Sequence, residues 1–208
     1  LSEAEVAALY RPIGRLLIDD DRRVRVASLQ AVSRLGHPRL WPLVVRRVEV
    51  PGEREAAMTS LVAGGPSALP VLREAMRAPY RAGPLARARL LRLTRAAGRI
   101  GTPDAIEALL GLIDIPDLDL HSQVLRSLRR AGYHAGMAQA QQWAQQEVTR
   151  ITCLLRAASD VSAGPALLPE PARVAGLLTD AIDDAISLMR RNVFHCLAFV
   201  YEPALIKQ

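Results

Sequence analysis

The chain has 208 residues, half of them hydrophobic and 4% aromatic, with a formal charge of +6 and an isoelectric point near 10.1. No stretch approaches the ~18 uninterrupted apolar residues of a membrane span, and the first residues lack the basic, apolar, small-residue order of a secretory signal, so a soluble, cytoplasmic segment with length for one or two domains is expected. The basic balance points to acidic partners such as nucleic acid, phosphate groups or anionic lipid.

Alanine and leucine fill the apolar positions, which suits close helix packing better than a sheet sandwich, so the fold class expected is all-α. The spacing predicts a first helix over 3–18, with Ser2 as N-cap and Glu5 completing a capping box. Pro12 predicts a kink or break near Tyr10. Asp19, Asp20 and Asp21 then form a turn, placing negative charge where the next helix dipole favours it. On that second helix Val24, Ala27, Ala31, Val32 and Leu35 make a core face, with Arg23, Gln30 and Arg34 on another. A third helix begins at His37-Pro38 and runs through Trp41 to Val48. Helices over 53–62 and 67–77 follow, and then a loop from Ala78 to Pro84. The helix over 85–100 buries Ala86, Leu90, Leu93, Ala97 and Ile100 and turns Arg92, Arg95 and Arg99 the other way.

Thr102 caps the next helix and Pro103 opens it, with an end near Asp114. After the Ile115-Pro116-Asp117 turn, a helix over 118–131 keeps Val124, Leu125 and Leu128 inside and Arg126, Arg129 and Arg130 outside. A long helix over 134–158 sets Met137, Ala140, Trp143, Ala144, Val148, Ile151 and Leu155 on its apolar face. A connector spans 160–171, and a last helix over 172–201 carries Leu178, Ile182, Ala185, Met189, Val193 and Leu197. Because it opens on Leu1 rather than methionine, the chain is expected to be a piece of a longer protein.

Within this order one pattern returns. Arg34-Leu35-Gly36 recurs as Arg99-Ile100-Gly101 and Arg130-Ala131-Gly132, each closing an apolar-periodic stretch, and Gly64-Gly65-Pro66 marks a looser stop between them. A spacing of about thirty residues suits a repeat of two helices, which cannot bury its apolar faces without neighbours. The acidic turn, Val24-Arg25, the small-residue middle and Leu35-Gly36 resemble the HEAT-like repeat family, including the short units named after phycobilisome lyases. The resemblance implies an alpha-alpha superhelix, with the first helix of each pair on the convex side and the second lining the concave side. It further implies that Arg25 and the 19–21 turn belong to a ladder between neighbouring repeats. The expected organisation is a single solenoid over 1–208, with repeats over 3–132 and a long-helix cap over 133–208.

Counted back from the closing glycines, Arg34, Arg99 and Arg130 are equivalent, and so are Gln30, Arg95 and Arg126. Stacked repeats would align them as a basic column able to hold phosphates or an acidic peptide, and Arg34, Arg95, Arg99, Arg126 and Arg130 are the candidate partner-binding or anion-binding residues. In the competing reading these arginines cover aliphatic surface and pair with local carboxylates. Only Lys207 is lysine, so a coding bias towards arginine accounts for the composition as well as selection does.

No residue set carries chemistry. His37, His121, His134 and His195 are scattered, without HExxH, a di-iron-type His-Glu pair or a glycine-rich phosphate loop, so no catalytic residue, metal or cofactor is expected. His37 and His121 read as capping or surface residues, and Asp180, Asp183 and Asp184 as a solvated face. Cys153 and Cys196 read as buried free thiols in a reducing compartment. The tail from Arg191 to Ile206 resembles a segment of HEAT domains appended to bacterial transporters of the nucleotide-antiporter or major-facilitator type, which implies a regulatory or docking domain on the cytoplasmic side of a membrane protein. The first functional expectation is therefore a non-enzymatic scaffold for a protein or acidic peptide. The second is a DNA-binding solenoid resembling the HEAT-like alkylpurine DNA glycosylases, whose groove uses aromatic residues and a carboxylate; here Trp41 and Trp143 are the available indoles.

Overall fold

Short-range signals decide where the helices start and stop. The computed structural model describes residues 3–163 and 171–200. The described residues form α1 (Glu3–Leu16), α2 (Arg22–Leu35), α3 (Trp41–Arg47), α4 (Arg54–Gly64), α5 (Leu69–Arg77), α6 (Pro84–Ile100), α7 (Pro103–Leu110), α8 (Leu118–Arg130), α9 (Met137–Ala163) and α10 (Pro171–Ala198), with no strand among them. At the starts, Asp21 accepts from Arg23 N at 2.7 Å, Thr102 Oγ1 from Ala105 N at 3.3 Å and Asp117 Oδ1 from Leu120 N at 3.0 Å, each satisfying an orphan helix donor. At the ends of α2, α4, α6 and α8 stand the four pattern-closing glycines, Gly36, Gly65, Gly101 and Gly132, with φ of 65°, 52°, 68° and 75°. A side chain is strained in that region, so the residue type and the stop have one cause.

Each odd-numbered helix packs on the even-numbered one that follows it. The even helices α2, α4, α6, α8 and α10 touch in succession, and so do α3, α5 and α7. The core runs through all of them, from Leu29 and Trp41 through Leu61, Leu93 and Leu125 to Trp143 and Phe199. Close approach is needed at Gly64, where an added Cβ would lie 2.2 Å from the Trp41 ring. No helix among the described residues is long and apolar enough to cross a membrane.

Polar rungs tie successive even helices together at their first turns. Arg25, in the first turn of α2, donates to Glu53 Oε1 at 2.7 Å and to the Asp19 and Asp20 carbonyls at 2.6 and 2.9 Å. Glu53 stands at the N-cap of α4, is buried, and also meets Arg47 at 3.4 Å. The same device recurs between α6 and α8, where Arg87 NH2 donates to Asp117 Oδ1 at 2.7 Å and to Asp119 Oδ2 at 2.6 Å. Between α4 and α6 the rung is missing, because Ala57 and Gly83 hold the corresponding places.

Several expectations need correction. Helix α1 runs through Pro12 without a break; Ser2, its expected N-cap, lies outside the described residues. Helix α7 ends at Leu110 rather than near Asp114, since Leu112 and Ile113 bond three residues back to Leu109 and Leu110 in a tighter turn. On α2, Ala27 is exposed and Ser28 and Leu29 are buried, so the stripe is shifted by about one residue. Helix α9 continues to Ala163, into the expected connector, of which 164–170 lies outside the described residues. Its buried stripe is Ala140, Trp143 and Glu147, flanked by half-buried Ile151 and Leu154, whereas Val148 and Leu155 are exposed. On α10 the buried residues are Ile186, Met189, Asn192 and Cys196, and the expected Leu178 and Leu197 face solvent. In both helices a polar residue, Glu147 or Asn192, occupies a position that hydrophobic periodicity alone passes over.

Candidate anion-binding pocket

Helix α8 lies between α6 and α10 and is buried almost all round: Leu120–Leu125, Ser127 and Leu128 are covered. The second half of the helix therefore shows solvent Arg126, Arg129 and Arg130 and little else. Its distance from α6 is set at Gly98, where an added Cβ would meet the Ser127 Cβ at 2.6 Å and its Cα at 2.7 Å. This close crossing brings Arg95 of α6 over the arginines of α8. From the other side α10 contributes His195. Arg95, Gln123, Arg126, Ser127, Arg129, Arg130 and His195 together line an open pocket of about 570 Å³.

A hydrogen-bond chain that is buried at Gln123 and Ser127 holds the floor. Arg95 NH2 donates to Gln123 Oε1 at 3.4 Å, and Gln123 Nε2 donates to Ser127 Oγ at 3.0 Å. Arg126 Nε donates back to the Ser122 carbonyl at 3.3 Å. No carboxylate lines the pocket. Among the described residues none forms an ion pair with Arg95, Arg126, Arg129 or Arg130, whereas Arg25, Arg47, Arg73, Arg77, Arg87, Arg89 and Arg150 all have one. Burial lowers the pKa of His195, and the positive charges of Arg129, Arg126 and Arg191 lower it further. Four uncompensated guanidiniums beside a destabilised imidazolium make a site that gains by taking up negative charge.

Of the five arginines singled out from the sequence, Arg95, Arg126 and Arg130 meet here. Arg99 is exposed one turn further along α6 and is not part of the lining. Arg34 lies apart, in a shallow depression of α2 with Ala27, Gln30, Ala31 and Leu35. The column is interrupted because α4 carries exposed Thr59 and Ala63 at the places equivalent to Arg95 and Arg99. Arg129 had a signal, its outward position on α8, while Gln123, Ser127 and His195 had none that a repeat register could supply. His195 reaches the pocket only because α10 packs on α8.

The other polar candidates fall elsewhere. His37 caps the short turn at Pro38, its Nδ1 accepting from Arg39 N at 3.3 Å, and stacks on Tyr10. His121, expected at the surface, is buried: its Nδ1 is 2.7 Å from the Ile113 carbonyl, and its Nε2 is 3.5 Å from Glu147 Oε1. Glu147 is itself buried and accepts from Arg150 at 2.7 Å and Asn192 at 3.1 Å, so this cluster reads as an internal tie between α8, α9 and α10. Among the described residues no group of three or more potential metal ligands occurs. Cys196 is buried as expected, but Cys153 is exposed. Trp41 and Trp143 are both buried, so neither indole faces outward. No family model, no curated protein and no solved structure matches the chain.

Proposed function

We propose that the chain is a non-catalytic helical-repeat scaffold that docks an acidic partner, a peptide or protein segment, in the pocket between α6, α8 and α10. The observation that carries this reading is the set of four arginines without carboxylate partners around one cavity. Four like charges around one cavity repel one another, and charge-assisted hydrogen bonds to an anion relieve that repulsion, so the site favours an incoming negative group. The succession of helix pairs supports a HEAT-like superhelix, with the pocket on the side formed by the second helices. A place as a regulatory or docking part of a larger protein, on the cytoplasmic side of a membrane transporter, follows from the resemblance of the tail. The DNA-binding alternative keeps the affinity of the arginines for phosphate but loses its two indoles, which are both inside.

Fluorescence anisotropy with a labelled glutamate-rich peptide tests the reading. The combined substitution Arg95→Glu, Arg126→Glu and Arg130→Glu should abolish binding and leave far-UV circular dichroism unchanged. Unaltered affinity would move the docking site away from this pocket.

A further inference from the structure

Building on this reading of the pocket, we propose that its preferred ligand is a run of contiguous phosphoryl groups, a diphosphate or triphosphate, ahead of separate carboxylates. The lining decides between these anions. It consists of four guanidiniums on their aliphatic stems, one imidazole, one amide and one hydroxyl, with no carboxylate. Small-molecule pockets of comparable size, roughly 300–1,000 Å³, are ordinarily lined mainly by apolar groups that grip the body of the ligand. Here the head groups presented are cationic or polar, so what the pocket holds first is the negative charge of a ligand.

An acidic peptide meets that requirement less fully. Its carboxylates are separated by backbone and methylene groups, and each satisfies one guanidinium fork through a single planar edge. Contiguous phosphoryl groups present acceptor oxygens on all sides within a short length. They can accept at once from Arg95 on α6 and from Arg126, Arg129 and Arg130 on α8. Gln123 holds the Arg95 guanidinium through its carbonyl, which aims that fork before the ligand arrives. The oligophosphate could be free or could be the tail of a nucleotide. The lining has one ring, the His195 imidazole, against four guanidiniums, so recognition rests chiefly on the phosphates.

Isothermal titration of the full chain with phosphate, pyrophosphate, tripolyphosphate and ATP tests the proposal, with the glutamate-rich peptide as competitor. Affinity should rise by about tenfold with each added phosphoryl group, as expected for added charge-assisted bonds. ATP should bind no more tightly than tripolyphosphate, and tripolyphosphate should displace the peptide. The variant Arg126→Lys with Arg130→Lys keeps the charge and removes two forks; it should lose about tenfold for tripolyphosphate. Peptide binding that tripolyphosphate does not displace overturns this proposal and leaves the acidic-partner reading standing. ATP binding without tripolyphosphate binding overturns it in favour of nucleoside recognition, and no binding of any anion ends both.

Discussion

His195 is held between charges of one sign. Arg95 faces it from α6, Arg126, Arg129 and Arg130 from α8, and Arg191 lies on its own helix. Burial and these cations favour the neutral ring in the folded chain, so its pKa is depressed relative to the unfolded chain. A lowered folded-state pKa means that the unfolded chain binds the proton more readily. This contribution to stability is complete above the ordinary imidazole range and is lost as pH falls through it. His195→Gln should therefore flatten the part of the acid-induced loss of Tm that falls between about pH 7 and pH 5. Thermal melts of both chains across that interval measure the effect, and parallel curves would show that His195 has no part in it.

Among the elements, the first-turn rungs are the clearest case of one chemistry used twice. Arg25 to Glu53 and Arg87 to Asp117 each bind the opening turn of an even helix to the N-cap acid of the next. At the second rung the Arg87 guanidinium holds the Asp117 carboxyl below its usual range, and the amide of Leu120 assists. Its stabilisation is present above the ordinary carboxylate range and disappears as pH falls through the lowered value. The first rung is the more deeply set, since Glu53 is 1% exposed. Truncating Arg25 to alanine leaves that carboxylate with Arg47 at 3.4 Å as its remaining charged partner, and should cost roughly 3 kcal/mol in urea unfolding. A loss below about 0.5 kcal/mol, the size of an ordinary surface change, would show the rung to be ornamental.

Over the whole molecule, the closing end of the helix succession carries an apolar outer surface. The closing pair, α9 and α10, leaves Val148, Leu155, Leu177, Leu178, Phe194 and Leu197 exposed, with Phe194 at 71%. A cap over a stack ordinarily turns a polar face outward, and these six side chains are apolar. In the isolated chain these side chains contribute little to folding. Phe194→Gln should change the free energy of unfolding by no more than about 0.5 kcal/mol. Leu128→Ala, in the fully covered middle, should cost about 2–5 kcal/mol by opening a cavity. Urea denaturation of the two variants compares them directly, and a large effect of Phe194→Gln would mean that this ring is packed in solution.

The all-helical class, the places where α2, α4, α6 and α8 stop, and the outward aim of Arg95, Arg126, Arg129 and Arg130 were legible in the amino-acid order. They depend on caps, on glycines at positive φ and on a period of 3.6 residues, all of which act within a turn or two of chain. Tertiary packing alone decided the rest. Arg34 is separated from the pocket because α4 puts Thr59 and Ala63 in the way. His195 joins the pocket because α10 lies on α8, and Glu147 can be buried because Arg150 and Asn192 meet it there. Local periodicity sorts side chains into inward and outward; which outward groups share a cavity depends on contacts between segments far apart in sequence.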